Sequence, residues 1–200
     1  MYKSSNNSAL KIFREKGGML RSSEAIALGI HPRTLYELRD SSQIMELSRG
    51  VFRLADLPPV ENSDLIVAAI RVPTGIVCLI SALSYHNITN EIPHEIYIAV
   101  PTGREKPKLD FPPTRVFHFS PETYAAGVED HFLDNYRVKI YSKEKSIADC
   151  FKFRNRIGLD VAIEALRVCL NKGGSIKKIL EFARICRVEN VIRPYLEALK

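Results

Sequence analysis

The amino-acid sequence predicts an α+β protein with two domains, and three observations support this class. Residues 1–54 contain three short segments with helical periodicity, followed by two short β-rich runs. Residues 55–62 include two adjacent prolines and show little periodicity, which is typical of a linker. Beyond the linker, extended segments come first and amphipathic helices come last. The predicted domains are therefore residues 1–54 and residues 63–200, the second being α+β with a helical C-terminal half.

Composition places the chain among ordinary globular proteins, with 46% hydrophobic and 26% charged residues. No apolar run reaches 18 residues, so we expect no membrane span, and the polar start MYKSSNNS does not resemble a secretory signal. We therefore expect a cytoplasmic protein. Its four cysteines form no CxxC pair, which indicates reduced, buried thiols rather than a zinc site. We expect no cofactor.

The first domain begins with a helix over residues 7–16, which the pair Gly17 and Gly18 ends. After a brief extended stretch over residues 19–21, a second helix covers residues 24–28, and Gly29 closes it. A third helix has Pro32 in its first turn, where proline is tolerated. Residues 44–47 and 51–54 then form a hairpin around a glycine turn. Three helices followed by a hairpin is the order of a winged helix-turn-helix.

In such a fold the third helix enters the major groove of DNA with its N-terminal residues at the base edges. The apolar residues Leu35 and Leu38 are three positions apart, so we expect them to lie on the buried side of this helix. Arg33 is then placed to bind guanine, Thr34 to contact a thymine methyl or a phosphate, and Arg49 to reach the minor groove. The predicted DNA-contacting residues are Arg21, His31, Arg33, Thr34, Tyr36, Glu37, Arg39, Arg49 and Arg53. The alternative is a winged helix that binds only other proteins.

In the second domain, the pattern predicts helices over residues 63–71 and 76–86 and strands over 95–100, 115–119, 128–133 and 137–141. Residues 104–113 are a predicted loop. Four further helices are predicted over residues 145–153, 160–170, 176–186 and 189–199, and Pro194 is expected to kink the last one.

Charge is strongly segregated along the chain, whose total is +6. Residues 1–54 carry a net charge of +4, residues 55–136 a net charge of −6 and residues 137–200 a net charge of +8. Basic regions often bind nucleic acid, and the alternative is that they are solvated helix faces. The basic residues of interest in the second domain are Lys143, Lys145, Lys152, Arg154, Arg156, Lys177 and Lys178.

Three of these residues, Lys145, Lys152 and Arg156, follow one another at intervals of seven and four positions. They share one helix face if the helix continues past Arg154. Such a face suits a phosphate-bearing partner, either DNA or RNA.

Several segments resemble the AbiEi antitoxins of type IV toxin–antitoxin and abortive-infection systems. They are CLISALSYHNITNEIPHEIYIAVP (78–101), YSKEKSIADCFKFRNRIGLDVAIEAL (141–166) and ICRVENVIRPYLEAL (185–199) in the second domain, and HPRTLYEL (31–38) and LSRGVFRL (47–54) in the first. The resemblance extends from about residue 8 to residue 199, and the segments occur in the order of that family.

This resemblance implies a phage-defence protein that represses its own operon through the winged domain. Double-stranded DNA of its own promoter, with inverted repeats, is the implied partner. A second implied partner is a neighbouring nucleotidyltransferase-like toxin, which such an antitoxin opposes without needing a stable complex. The family offers no catalytic motif, so the resemblance implies that the protein is not an enzyme.

Three alternatives remain open at this stage. A plain transcriptional regulator would sense a ligand or a protein through its second domain, and an adaptor would dock a basic protein on the acidic region 55–136. A metal-dependent nuclease would need an acid-x-Lys strand, but Arg137 stands where the acid should be. Glu129 and Asp130 are adjacent and would point to opposite faces of a strand. The five histidines form no ligand motif, so we expect no metal site.

Overall fold

The structure is a computed structural model that describes residues 2–59, 61–107, 109, 111–134 and 136–199, with side chains from residue 5 onward. Positions 1, 60, 108, 110, 135 and 200 lie outside the described residues, including two positions of the predicted loop 104–113. The first part of the chain contains α1 (Tyr2–Glu15), β1 (Met19–Arg21), α2 (Ser22–Ala27), α3 (Pro32–Asp40), β2 (Ile44–Ser48) and β3 (Val51–Leu54).

These first elements form the expected winged helix-turn-helix. The three strands make an antiparallel sheet in the order β1-β3-β2, so the brief stretch before α2 joins the hairpin. Gly29, two positions past the end of α2, takes a φ of +91°, which lets the chain turn sharply into α3. His31 then caps α3, because its Nδ1 accepts a hydrogen bond from the backbone N of Arg33 at 3.2 Å.

The next elements build a mixed five-stranded sheet in the order β6-β5-β4-β8-β7. Neighbours β5 and β6 are parallel, as are β4 and β8, whereas the pairs β4–β5 and β7–β8 are antiparallel. The elements are α4 (Ser63–Arg71), β4 (Ile76–Val77), α5 (Leu79–Tyr85), β5 (Ile96–Pro101), β6 (Thr114–Phe119), α6 (Pro121–Ala125), β7 (Val128–Leu133) and β8 (Tyr136–Tyr141).

The prediction of one helix over residues 76–86 was partly wrong. Ile76 and Val77 form a short central strand between β5 and β8, and Cys78 is extended before α5 starts at Leu79. An uninterrupted apolar run does not distinguish a buried strand from a buried helix, which is why the pattern failed here. The short helix α6 was not predicted at all.

The C-terminal half is helical, as expected, with α7 (Lys143–Lys152), α8 (Arg154–Ile157), α9 (Leu159–Asn171), α10 (Ile176–Ile185) and α11 (Glu189–Ala198). Ser142 and Ser175 cap α7 and α10, since the Oγ of each accepts a backbone N–H at 3.3 Å. The predicted fold class is confirmed: a winged N-terminal region precedes a larger α+β body whose C-terminal part is helical. Among the described residues, no helix is both long and apolar enough to span a membrane.

The apolar core lies on both faces of the five-stranded sheet. Helices α5, α7, α9, α10 and α11 cover one face. Helix α4 covers the other, where Met19 and Val51 of the winged region join the same cluster. Tyr136 strengthens this junction, because its hydroxyl donates to the backbone O of Lys16 at 3.0 Å and to that of Met19. The domain boundary at residues 55–62 stays a prediction.

Candidate nucleic-acid interface

Helix α3 presents an exposed face that carries charge and an aromatic ring. The side chain of Arg33 is 71% exposed, and its Nε donates to Glu37 Oε1 at 2.9 Å. Tyr36 is 52% exposed, and the guanidinium of Arg39 lies 4.9 Å from the centre of its ring. These residues are three and four positions apart, so they share one side of the helix. The expected outward orientation of Arg33, Tyr36, Glu37 and Arg39 agrees with the structure.

Arg39 is held by two carboxylates. Its Nε and Nη2 donate to Asp40 Oδ1 at 3.1 and 3.0 Å, and Nη1 lies 3.7 Å from Glu46 Oε2. The hydrogen bond to Asp40 raises the pKa of Arg39 above its usual value. Two carboxylates thus partly offset this positive charge, and a phosphate would have to compete with them.

The prediction that Thr34 faces outward was wrong, because the side chain is buried. Thr34 lies one turn before Leu38 and beside Leu35, both of which are in the core of the winged region. Its Oγ1 is 3.5 Å from Ser5 Oγ on α1. Thr34 therefore belongs to the contact between α1 and α3 rather than to an open face.

The expectation that Arg53 lies against phosphates was also wrong, since only 5% of its surface is exposed. Its Nη1 donates to the backbone O of Leu57 at 3.2 Å, and Nη2 donates to that of Pro58. Arg53 lies on β3, the central strand of the small sheet, and bonds the segment that follows the wing. The side chain holds the start of the predicted linker in place.

The remaining predicted DNA contacts lie at the edges of the winged region. Arg49 is exposed at the tip of the hairpin, and its backbone O accepts a hydrogen bond from Arg71. Arg21 is half-buried at the end of β1, and His31 is exposed at the start of α3. Exposed arginine thus occurs both on α3 and at the wing tip.

The basic residues of the second part of the chain do not form one face. A shared face for Lys145, Lys152 and Arg156 would require one helix that continues past Arg154. Instead, α7 ends at Lys152 and a new helix starts at Arg154. Lys145 is completely buried, so its place in an exposed basic patch was wrong. Its Nζ lies 2.6 Å from both carboxylate oxygens of Asp149, which is equally buried.

Two aromatic rings and a thiol lie next to this buried pair. The Lys145 Nζ lies 4.2 Å from the ring centre of Tyr141 and 5.0 Å from that of Phe119. Cys186 Sγ donates to Asp149 Oδ1 at 3.3 Å. Burial raises the pKa of the Cys186 thiol to about 12, and the nearby Asp149 carboxylate acts in the same direction. This thiol is therefore un-ionised at neutral pH and poorly nucleophilic.

The other basic residues lie at two separate places on the surface. Near the α7–α8 junction, Arg156 is exposed with its guanidinium 4.2 Å from the Phe117 ring centre, whereas Arg154 donates to the backbone O of Phe151 at 2.9 Å. Lys143 and Lys152 are half-buried. On the first turn of α10, Lys177 and Lys178 are exposed.

A histidine cluster is present that the sequence did not indicate. One candidate ligand atom each of His86, Glu129 and His131 lies within 4.8 Å of the others. The sequence shows no histidine ligand motif, and the fold nevertheless brings three candidate ligand groups together. The i, i+2 spacing of Glu129 and His131 on a predicted strand was a usable signal, since it puts both side chains on one face. His86 is distant in sequence, and only the fold brings it to them.

A winged helix-turn-helix with exposed arginine on its third helix and at its wing tip is the architecture of a DNA-binding transcriptional regulator. A family model described as "Transcriptional regulator, AbiEi antitoxin" matches residues 7–55. The resemblance to the AbiEi antitoxins is thereby confirmed for the N-terminal region, over residues 7–55.

The whole chain is also similar in fold to a solved structure, that of the RV2827C protein from Mycobacterium tuberculosis. The TM-score is 0.55 at 13% sequence identity, over 95% of this chain and 79% of the other. At this identity the similarity concerns the fold alone. No curated protein matches the sequence.

Proposed function

We propose that this protein is the antitoxin of a type IV toxin–antitoxin system and that it represses transcription of its own operon. The family match over residues 7–55 supports a regulator of this kind. The observation that carries the proposal is the exposure of Arg33 and Tyr36 on α3 together with Arg49 at the wing tip. Such a repressor acts in the cytoplasm on promoter DNA that carries inverted repeats.

Arg33 and Glu37 are the proposed base-reading pair. In the absence of DNA they bind each other at 2.9 Å on the surface, and a solvent-exposed pair of this kind costs little to separate. Arginine then binds the O6 and N7 of guanine through two hydrogen bonds, and the Glu37 carboxylate accepts from the N4 amine of cytosine. Arg21, His31, Tyr36, Arg39 and Arg49 are proposed to fix the register through phosphate, sugar and minor-groove contacts.

Antitoxin action is proposed to involve three of the exposed cations of the second domain, Arg156, Lys177 and Lys178. Exposed cations suit a phosphate-bearing partner, and an RNA on which the toxin acts has that chemistry. This arrangement opposes a nucleotidyltransferase-like toxin without a stable complex. The buried Lys145 takes no part in it.

A fluorescence-anisotropy titration tests the proposal directly. The full-length chain is titrated into a labelled duplex from upstream of its own gene and, separately, into a scrambled duplex of equal composition at near-physiological salt. We expect at least about tenfold tighter binding to the native duplex. Equal, salt-sensitive binding to both duplexes would contradict autorepression and leave only generic phosphate binding.

A matched pair of variants tests which surface reads the DNA. Arg33→Ala removes a proposed base contact, and Lys177→Ala removes one surface charge from the other part of the chain. We expect the first to abolish most of the preference for the native duplex and the second to preserve it. Equal effects of the two variants would show that net charge, not α3, governs binding.

A further inference from the structure

The histidine cluster lies where the end of α5 meets β7, a strand at one edge of the five-stranded sheet. His86 directly follows α5, and Glu129 and His131 project from the same face of β7. The two imidazole rings are 5.8 Å apart between centroids, at an angle of 68°. Two imidazoles and a carboxylate at one place form a ligand set that zinc uses in proteins.

The hydrogen bond of His86 leaves one ring nitrogen available as a ligand. Its Nε2 lies 2.8 Å from the backbone O of Tyr141. A carbonyl oxygen only accepts, so Nε2 carries the hydrogen and Nδ1 keeps a lone pair. Metal-bound histidines commonly donate their other N–H to a backbone carbonyl in this way, which orients the ring.

His131 shows the complementary arrangement on the strand. Its Nδ1 lies 3.1 Å from the Tyr85 hydroxyl. Its Nε2 is buried and makes no hydrogen bond to any atom of the described residues. The nearest charged group to this nitrogen is the Glu129 carboxylate, whose Oε2 lies 3.3 Å away. A cation bound by both groups would satisfy the buried nitrogen. When Nδ1–H donates to the Tyr85 hydroxyl, Nε2 has the lone pair that coordination requires.

Glu129 supplies a negative charge at the correct spacing. Its Oε2 lies 3.3 Å from His131 Nε2. Zinc bonds of 2.0–2.1 Å in tetrahedral geometry separate neighbouring ligand atoms by about 3.4 Å. One pair of ligand atoms is thus already at coordination distance, and the three candidate ligand atoms all lie within 4.8 Å of one another. The neighbouring acid Asp130 is bound to Arg137 at 2.6 Å.

We propose that His86, Glu129 and His131 bind one Zn²⁺ ion, with water completing a tetrahedral shell. The ion would join the end of α5 to the edge strand β7. Half of the Glu129 side chain is exposed, which leaves a path for the ion and its water from solvent. Zinc is preferred over magnesium and calcium because two of the three ligands are imidazoles, whereas those cations take oxygen ligands.

Isothermal titration calorimetry of the metal-free, full-length protein with zinc chloride tests this site. We expect one ion per chain and a melting temperature that rises with zinc concentration. Glu129→Gln keeps the shape of an exposed side chain and removes its charge, so the variant should fold normally. It should weaken zinc binding at least about tenfold, because even outer-sphere changes cost 10- to 100-fold.

His131→Asn removes a ligand nitrogen and should abolish the effect of zinc on the melting temperature. The matched control is His118→Gln, which replaces an exposed histidine on β6, at the opposite edge of the sheet. The control should bind zinc like the unaltered protein. The proposal is overturned if the unaltered protein binds no zinc, if Glu129→Gln binds it equally well, or if the control loses binding to the same degree.

Discussion

The Nζ of Lys145 lies 2.6 Å from both carboxylate oxygens of Asp149, and neither side chain has any solvent exposure. The pair spans one turn of α7, which packs against α5, α9, α10 and α11. Burial raises the pKa of the Asp149 carboxyl, while Lys145 acts in the opposite direction by favouring the charged form. A residue that sequence alone suggested as a nucleic-acid contact is therefore part of the core.

Removing one member of this pair should strongly destabilise the protein. Lys145→Ala leaves the Asp149 carboxylate buried without its partner, which typically costs about 3–5 kcal/mol. Urea unfolding followed by circular dichroism measures the change in the free energy of unfolding. Lys177→Ala, an exposed change on α10, should stay within about 0.5 kcal/mol of the unaltered protein.

The double substitution Lys145→Met with Asp149→Leu should be less destabilising than Lys145→Ala alone, because it leaves no unpaired charge in the core. The same urea titration measures the free energy of unfolding of both variants. A double variant that is less stable than the single one would show that the pair contributes favourably beyond compensating its own burial.

Arg33→Ala should weaken operator binding by about 1–3 kcal/mol, which is the contribution of one good base contact. Anisotropy titration on the native duplex measures the loss. Thr34→Val on the same helix turn is the matched control, since Thr34 is buried against α1 and should contribute little to DNA affinity. An Arg33→Ala variant that binds like the unaltered protein would remove α3 from the interface.

Arg53→Met and Arg49→Met should separate a structural arginine from a DNA-contacting one. The first breaks the bonds of Arg53 to the backbone of Leu57 and Pro58 and should lower the melting temperature. The second should leave stability unchanged and reduce the salt slope of DNA binding by about 1, as loss of one phosphate contact does. A reduced salt slope of DNA binding for a folded Arg53→Met variant would contradict the purely structural role of Arg53.

The raised pKa of Tyr136 predicts that the folded protein loses stability at alkaline pH. Burial raises the pKa of Tyr136 from its ordinary value near 10 to about 12. Because the folded state holds this proton more tightly than the unfolded state, the contribution is complete below pH 10 and is lost between pH 10 and pH 12. At pH 8 the unaltered protein should be more stable than Tyr136→Phe, which lacks the hydrogen bond to Lys16. Melting curves at several pH values should show that advantage disappearing above pH 10.

Lys177→Ala combined with Lys178→Ala should impair rescue of cells that express the toxin, while operator affinity stays unchanged. The reason is that both lysines are exposed on α10, outside the winged region. Growth on co-expression and anisotropy titration measure the two effects. Full rescue by the double variant would exclude this surface from antitoxin action.

The winged region was predictable because its signals are local. Gly17, Gly29 and Gly50 mark turns, Pro32 marks a helix start, and the apolar periodicity is short and clear. Most strands of the second part were also predicted within one or two residues of their observed ends. The two-residue strand at Ile76 was not, because only its pairing with β5 and β8 distinguishes it from helix.

The orientations of particular side chains were less accessible to sequence reasoning. A helical repeat places Thr34 near the boundary of the buried face, and the contact with α1 decides on which side it lies. Arginine is a residue type that often contacts phosphate. In the structure, however, the guanidinium of Arg53 donates to two backbone carbonyl groups of the segment that follows β3. The residue type is compatible with both outcomes, and the neighbouring backbone selects one.

The sequence by itself determined the class of fold, the order of its elements and the family resemblance, since these depend on local periodicity and short motifs. Only the tertiary structure decided that Lys145 is buried and that His86 lies beside Glu129 and His131. Burial and clustering arise from contacts between helices and strands that are distant in the chain. No local spacing encodes such contacts, because they depend on how the separate elements pack around one sheet.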